Sequence, residues 1–491
     1  MELALVIVID LIAIIGLIAL ARSKGGLERA LPFAAFLLVL TPIESLLSLG
    51  FFTLTTHRIV IVMLALLYVT RSGASAAPSR NYSLPLKGLI FLHVVWCLVA
   101  TANSITPVMS IKKVLSIVIE YYTLYFVYWK TVTKIETVHR ILIAIALALT
   151  VCSIWGTGEA YRHWNFQQYF PSVAHHWESE GDIDRGDRIH GTFDHPILFG
   201  AALAMGITVT IYLLTVVSKR SHRIVLSLGL LLMFLNIYKT SSRGPWLDVI
   251  IGFVMLLVFG KQKSRRLLLY MAALSLAVCL VRPGVWGTIS GIYATTFNME
   301  TNSGSSYAYR YALQDAAVKR LSQNPTTRAL WGYGPESFYL VHLEGPLLGT
   351  PWVFLSCDNA WVEFLIETGF IGLSIMVMLL LWPAWVAWKG FWKGGPIDRH
   401  LSYVLFVNLV IFYFQMYSVG MYSWGQNGYM LWIVIALVLS QPKWRKALQE
   451  QTASGTGSGE VSLITENEDR RWGRPEWWGT AVAEEPSWSV R

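Results

Sequence analysis

Long apolar segments recur along the whole chain, separated by short polar connections and by two long ones. A transmembrane helix needs about 20 apolar residues, and thirteen segments approach that length, or twelve if the short segment 59–70 is not counted. The segments are 3–21, 31–51, 59–70, 88–101, 111–129, 138–155, 191–217, 224–238, 246–260, 267–282, 359–386, 401–418 and 426–440. This pattern predicts an all-α, polytopic membrane protein.

Basic residues cluster in every second short connection. Because cytoplasmic loops carry the excess of Lys and Arg, we expect the N-terminus outside, the tail inside and both long connections outside. Helical spacing in YAYRYALQDAAVKRLSQNP predicts a helix within the second long connection. The expected parts are N-terminal membrane helices at 1–155, an outer loop at 156–190, membrane helices at 191–282, a large outer loop at 283–357, C-terminal membrane helices at 358–440 and a disordered cytoplasmic tail at 441–491.

Composition agrees with a membrane location. The chain is 54% hydrophobic and only 14% charged, more apolar than a soluble core requires. Its net charge of +9 lies in short clusters between apolar segments, so we attribute the charge to membrane topology and expect no nucleic-acid partner. Met1 to Ala21 resembles an uncleaved first span, and three of the four cysteines lie inside apolar segments, which implies no disulfide framework.

The sequence KTSSRGP joins segments 224–238 and 246–260 and carries Arg243. Each arm between the flanking basic loops has about 15 residues and spans roughly 22 Å, against an apolar core of about 30 Å. The turn is therefore expected below the outer surface, where a guanidinium is tolerated beside a wet, protein-lined cavity. A locally thinned bilayer, or an Arg243 side chain that reaches up to the surface, explains the same pattern.

A second polar cluster, RGDRIHGTFDHPILFG, contains Arg188 and His195 and precedes segment 191–217. The acids just before it resemble a calcium loop, but glycine falls at the fifth place and no glutamate closes the loop at the twelfth. His175 and His176 are adjacent, which is not the spacing of metal ligands on a regular element. We therefore predict no metal and no cofactor.

Asp358 and Asn359 stand where the large loop ends and an apolar helix begins, in DNAWVEFLIETGFIGL. Asp358 is either a helix cap, a catalytic carboxylate, or both. Glu363 follows Asn359 at helical spacing and shares its face. The acids Asp10, Glu44 and Glu120 fall inside apolar segments, and their cost in lipid predicts that they face the bundle interior.

Taken in order, RIHGTFDHPILFG, TSSRGPWLDVIIG, YRYALQDA, WGYGPESF and DNAWVEFLIETGFIGL resemble the O-antigen ligase and polysaccharide polymerase superfamily. The resemblance covers about Arg188 to Leu373 and places the large outer loop where the family has it. It implies a metal-independent, inverting glycosyltransferase that moves a glycan from undecaprenyl diphosphate to an acceptor hydroxyl. The implied location is the bacterial inner membrane, with the active site facing the periplasm.

Residue by residue, the resemblance implies functional roles for Arg188, Arg243, Arg310, Asp358 and Asn359. Ligases of the family carry a catalytic histidine where this chain has Asp358. That departure favours the exopolysaccharide polymerase branch over an O-antigen ligase that joins glycan to a lipid A core. A chain-length regulator and a flippase of the same pathway are further candidate partners.

The residue types also fit this chemistry without the family. Guanidinium groups stabilise the charge that builds on a departing diphosphate, and a carboxylate or imidazole accepts the proton of the attacking hydroxyl. We expect Arg188, Arg243 and Asp358 to be catalytic, with Asp358 as base and His195 and Glu336 behind it. Arg310, His195, Asn359, Glu336 and Glu363 are expected to bind substrate. The alternative is a lipid-linked glycan transporter that uses the same arginines. Glycosyltransferases with an acidic motif in the first outer loop are a third class, but THR at 56–58 belongs to a short loop without acids.

Overall fold

The computed structural model describes residues 2–49, 52–72, 82–170, 188–296, 298, 302–323, 327–395, 398–423 and 425–453. The first half consists of α1 (Glu2–Arg22), α2 (Leu27–Leu40), the hairpin β1 (Leu46–Leu49) and β2 (Phe52–Thr55), α3 (Thr56–Ser72), α4 (Lys87–Ala102), α5 (Pro107–Ser116), a π-helical turn (Ile117–Tyr122), α6 (Thr123–Thr131), α7 (Ile135–Arg162) and a short 3-10 turn (Phe166–Tyr169). The second half consists of α8 (Pro196–Val216), α9 (Arg220–Lys239), α10 (Arg243–Phe259), α11 (Gln262–Val281), α12 (Pro283–Thr296), α13 (Asn302–Ser322), α14 (Arg328–Trp331), α15 (Phe338–Val341), the hairpin β3 (Leu343–Leu347) and β4 (Thr350–Phe354), α16 (Ala360–Lys393), α17 (Asp398–Gln415), a 3-10 turn (Met421–Ser423), α18 (Gly425–Leu439) and α19 (Gln441–Ala453).

The chain is mostly helical, as the sequence predicts, and each of the thirteen apolar segments contains a helix. Within the described residues, six helices are long and apolar enough to cross a membrane: Leu3–Arg22, Ile135–Arg162, Pro196–Val216, Arg220–Lys239, Gln262–Val281 and Ala360–Lys393. Thirteen spans therefore stay a prediction, whereas a helical membrane protein is what the length and apolarity of these helices indicate.

Two expectations about the N-terminal and C-terminal parts are wrong. Segment 31–51 is not one helix, because α2 ends at Leu40 and an antiparallel hairpin follows, with Leu46 opposite Thr55. Thr41 precedes Pro42 and is extended, with ψ of 133°, as the residue before a proline favours. The segment expected to be disordered from 441 onward is helical through Ala453, and residues 454–491 lie outside the described residues.

The acids of the apolar segments are buried, as their cost in lipid predicts: Asp10, Glu44 and Glu120 are 6%, 7% and 6% exposed. Arg58 Nε lies 2.9 Å from Glu120 Oε1, and the Tyr429 hydroxyl donates to the same carboxylate. Glu120 therefore belongs to a hydrogen-bonded pair in the core of the bundle. The neighbouring Tyr121, Tyr122, Tyr125 and Tyr128 are buried as well.

Contacts among the connections fall into two groups, at opposite ends of the helices. At the end predicted to be outside, they include Arg188 with Thr240, Arg328 with Asn103, and Arg310 with Ser418. At the end predicted to be inside, they include Thr137 with Glu28, and Arg445 with Gly390. This separation agrees with the alternation of basic loops, and the first group defines what we call the outer end.

The large loop has a hydrophobic core of its own. Helix α13 confirms the helix predicted from YAYRYALQDAAVKRLSQNP. Its buried face packs with α14, α15 and the β3–β4 hairpin, and Val362 and Ile366 of α16 complete the same core. The loop is thus a folded unit fixed to the first turns of α16, which gives the residues around Asp358 a rigid support.

The motif WGYGP docks on a break in α16. Gly369 interrupts the helix with φ of 67°, and Gly332 has φ of 75°. A Cβ on Gly332 would lie 2.3 Å from Glu367 O, and one on Gly369 would lie 2.3 Å from Leu330 O. The two backbones meet so closely that only glycine fits at either position.

We expect Gly369→Ala to lower the free energy of unfolding by about 2–6 kcal/mol, since a strained backbone costs about 1–3 kcal/mol and an overpacked contact about 1–3 more. Thermal unfolding of the purified protein measures the loss. Gly287→Ala in α12 is the matched control, because a Cβ there meets nothing within 4 Å. Equal melting temperatures for the two variants would contradict the docking argument.

Candidate active site

Arg188 is held against the turn that precedes Arg243. Its Nε donates to Thr240 O at 3.0 Å, and its Nη2 donates to Ser242 Oγ at 2.7 Å. Arg243 is the next residue and the first of α10. The two arginines, 55 positions apart in the sequence, therefore lie at one turn.

The depth of this turn stays a prediction. The flanking helices α9 and α10 have 20 and 17 residues, which is longer than the arms of about 15 residues counted from the sequence. At 1.5 Å per residue they reach roughly 30 and 26 Å, so length alone no longer requires that the turn be recessed.

Glu159, at the end of α7, holds the segment that carries Arg188. Its Oε2 accepts the backbone N–H groups of His190 at 3.1 Å and Gly191 at 2.9 Å. Its Oε1 accepts from Asn165 Nδ2 at 3.1 Å and lies 2.9 Å from His190 Nε2. One carboxylate thus fixes the backbone two residues beyond Arg188. No motif around Glu159 in the sequence predicts this role.

We expect Glu159→Ala to lower the free energy of unfolding, because each buried N–H left without an acceptor costs about 1–3 kcal/mol. Any activity that depends on Arg188 should fall as well, since Arg188 loses its anchored backbone. Thermal unfolding measures the first effect, and an assay of the activity proposed below measures the second. The control is Glu136→Ala, an exposed acid at the start of the same helix; a similar loss there would rule out a specific role for Glu159.

Asp358 is not the cap of α16. Asn359 takes that role, since its Oδ1 accepts from the N–H groups of Trp361 at 3.0 Å and Val362 at 3.3 Å. Asp358 Oδ2 instead lies 3.5 Å from Arg310 Nη2, with its side chain 40% exposed. The capping explanation for Asp358 is therefore wrong, and its carboxylate is accessible and next to a cation.

The turn from Gln415 to Gly420, called the 415–420 turn below, joins these groups. Arg310 Nη2 donates to Ser418 O at 3.1 Å, and Ala360 N–H donates to Met416 O at 2.9 Å. A Cβ on Gly244 would lie 3.2 Å from Ser418 Oγ, so the residue after Arg243 packs on the same turn. Arg243, Arg310 and Asp358 are thereby gathered around one short segment, with Arg188 attached through Thr240 and Ser242.

Glu336 and Glu363 line a cavity of about 200 Å³ together with Gly420, the last residue of the 415–420 turn. Lys113 Nζ lies 2.7 Å from Glu336 Oε2, and a Cβ on Gly420 would lie 2.6 Å from Glu363 Oε2. Burial raises the pKa of Tyr339 to about 12, and the nearby carboxylates of Glu363 and Glu336 contribute a smaller part of this increase. The phenol therefore keeps its proton and can donate a hydrogen bond. The sequence missed Lys113, Tyr339 and Cys357 as lining residues of this cavity.

His195 caps α8, because its Nδ1 accepts the N–H of Ile197 at 3.1 Å. That bond uses the Nδ1 lone pair and leaves the proton of the neutral ring on Nε2, so His195 in this arrangement is a hydrogen-bond donor and not a base. Among the described residues, no group of three or more His, Cys, Asp or Glu side chains is arranged to hold a metal ion. His175, His176 and the acids of the rejected calcium loop lie outside those residues.

The fold and this site define a helical membrane protein in which arginines and a carboxylate from distant segments meet at one end. A family model described as O-antigen ligase matches residues 228–377. The match confirms the resemblance to the O-antigen ligase and polymerase superfamily, so an activity of the ligase or polymerase type is indicated. It includes Arg243, Arg310, Glu336, Asp358, Asn359 and Glu363, whereas Arg188 and His195 precede it. A comparison with curated proteins finds no match to the chain.

Proposed function

We propose that the protein is a polysaccharide polymerase of the bacterial inner membrane, with its active site at the outer end facing the periplasm. The donor is an undecaprenyl-diphosphate-linked oligosaccharide, and the acceptor is a sugar hydroxyl of another glycan. The observation that carries the proposal is that Arg188 is bonded to the turn that begins with Thr240 and leads into Arg243. Two guanidiniums at one turn form a site for two adjacent phosphates.

In the proposed reaction, an acceptor oxygen forms a bond to the anomeric carbon while the bond from that carbon to the diphosphate oxygen breaks. Attack from the face opposite the leaving group inverts the configuration. Arg188 and Arg243 stabilise the negative charge that builds on the diphosphate, as a divalent cation does at other diphosphates. Asp358 takes the hydroxyl proton, and Arg310 at 3.5 Å orients its carboxylate.

An O-antigen-type ligase is the second candidate, because the matching family model carries that description. The polymerase is preferred since an aspartate, Asp358, stands where ligases of the family have their catalytic histidine. An aspartate can still accept a proton from a hydroxyl, so the base is changed and the chemistry is kept. A chain-length regulator and a flippase of the same pathway are the protein partners that a polymerase would need.

Carrier-linked sugars in a strain that lacks the gene test these functions. Single lipid-linked repeats should accumulate if the protein is a polymerase, because nothing joins them. Long chains that stay on the carrier would instead indicate a ligase. Repeats that accumulate only in the cytoplasmic leaflet would indicate transport and would contradict both enzymes.

A further inference from the structure

A cavity beside the cationic site has a different chemical character. It measures about 200 Å³ and is lined by Lys113, Glu336, Phe338, Tyr339, Cys357, Glu363 and Gly420. A smaller pocket of about 20 Å³ adjoins it, shares Lys113 and Glu363, and adds Glu367. The lining holds one lysine and no arginine, so it lacks the pair of guanidiniums that can fork onto a diphosphate, whereas the turn that leads into Arg243 provides such a pair.

The chain builds this cavity with a strained turn. Glu336 has φ of 61°, a left-handed conformation that is strained for a residue other than glycine. The turn is fixed from two sides, since Ser110 Oγ donates to Pro335 O at 2.6 Å and Gly334 N–H donates to Glu367 O at 2.8 Å. These bonds hold the Glu336 carboxylate on Lys113, and Lys113 thereby faces the cavity.

The lining favours an uncharged, hydroxyl-rich ring. Carboxylates accept hydrogen bonds from hydroxyl groups, while the Lys113 ammonium and the Tyr339 phenol donate to ring and hydroxyl oxygens. Phe338 and Tyr339 offer apolar surface to the carbon face of such a ring. A few convergent polar groups beside aromatic surface are the usual features of a small-molecule site.

The cavity also lies next to the proposed base. Cys357 lines it and immediately precedes Asp358, and Gly420 lines it two residues after Ser418, whose carbonyl binds Arg310. We propose that this cavity binds the acceptor sugar, so that its attacking hydroxyl meets Asp358 while the donor diphosphate lies on the arginines. The inference rests on the proposed function, since it assigns the second substrate of the same reaction.

Protection of Cys357 from alkylation tests the assignment on the full-length protein in lipid nanodiscs. Burial raises the pKa of the Cys357 thiol, and the carboxylate of Glu363 raises it further. Because the thiolate is the form that reacts, labelling is done at alkaline pH and is followed by peptide mass spectrometry. The probes are methyl glycosides of neutral hexoses and inorganic pyrophosphate. A bound glycoside at about ten times its Kd should slow labelling about tenfold, because only the unoccupied fraction reacts. Pyrophosphate should give no protection.

Glu363→Gln and Tyr339→Ala should abolish the protection, whereas Glu344→Gln, an exposed acid on β3, should keep it. Saturation-transfer NMR with the same glycosides and variants gives a readout that does not depend on thiol reactivity. Protection by pyrophosphate alone, or no glycoside binding by either method, overturns the acceptor assignment. Arg243→Ala should keep glycoside protection and lose undecaprenyl diphosphate binding; if it keeps the latter, the proposed donor site fails instead.

Discussion

Replacing Arg243 by alanine is expected to stop polymer formation and to leave lipid-linked single repeats in the membrane. Arg243 is the first residue of α10 and follows Ser242, to which Arg188 is hydrogen-bonded. Loss of one fixed group that stabilises developing negative charge costs about 10²–10³ in rate. Polymer yield and carrier-linked sugars from cells that express the variant measure the effect.

Two further variants make the Arg243 result specific. Arg243→Lys should restore only part of the activity, because an ammonium keeps the charge but cannot fork onto two phosphate oxygens. Arg220→Ala removes an exposed arginine at the opposite end of α9 and should make normal polymer. Full activity in Arg243→Ala, with normal amounts of protein in the membrane, would contradict the proposed diphosphate site.

The helices of this fold follow from the apolar pattern because lipid requires every backbone polar group to be paired within the segment. The apolar pattern predicts the wrong element where the backbone of an apolar segment is paired between strands instead of within a helix. Leu46–Leu49 belong to the apolar segment 31–51, but they form strand β1, which pairs with β2 (Phe52–Thr55). Pro42 was the available signal, because the residue before a proline disfavours the helical region.

The site follows from the sequence only where its residues belong to motifs. Short motifs predict four of its residues: Arg188, Arg243, Arg310 and Asp358. In the structure, Arg188 is bonded to the turn that precedes Arg243, and Arg310 contacts both Asp358 and the 415–420 turn. Their chemical roles stay predictions.

Side chains contributed by distant segments had no such pattern. Glu159 ends a long helix without a motif, and its contacts with His190 and Gly191 are made 31 and 32 residues later in the chain. The sequence does contain a weak signal for Lys113. This residue lies near the start of segment 111–129, and the alternation of basic loops predicts that this end of the segment is outside, where lysines are less common. A basic residue on the wrong side of that alternation is therefore worth testing as a functional one.

Asp358→Ala is expected to reduce glycan transfer about a hundredfold or more, the usual cost of removing a general base. Its stability should change little, because the side chain is 40% exposed and does not cap α16. Asn359→Ala should show the opposite result, with a loss of about 1 kcal/mol in the free energy of unfolding from the missing cap. Polymer yield and thermal unfolding, measured on both variants, separate the two roles.

Asp358→His sharpens the test, because it places an imidazole where ligases of the family carry their catalytic histidine. If Asp358 is the base, the histidine variant should recover part of the transfer that alanine abolishes, since an imidazole also accepts the hydroxyl proton. The recovered activity should fall at low pH as the imidazole protonates, because a protonated ring cannot accept another proton. Normal polymer from Asp358→Ala would remove Asp358 from the mechanism and leave Glu336 or Glu363, which line the cavity next to Cys357, as the carboxylate to test next.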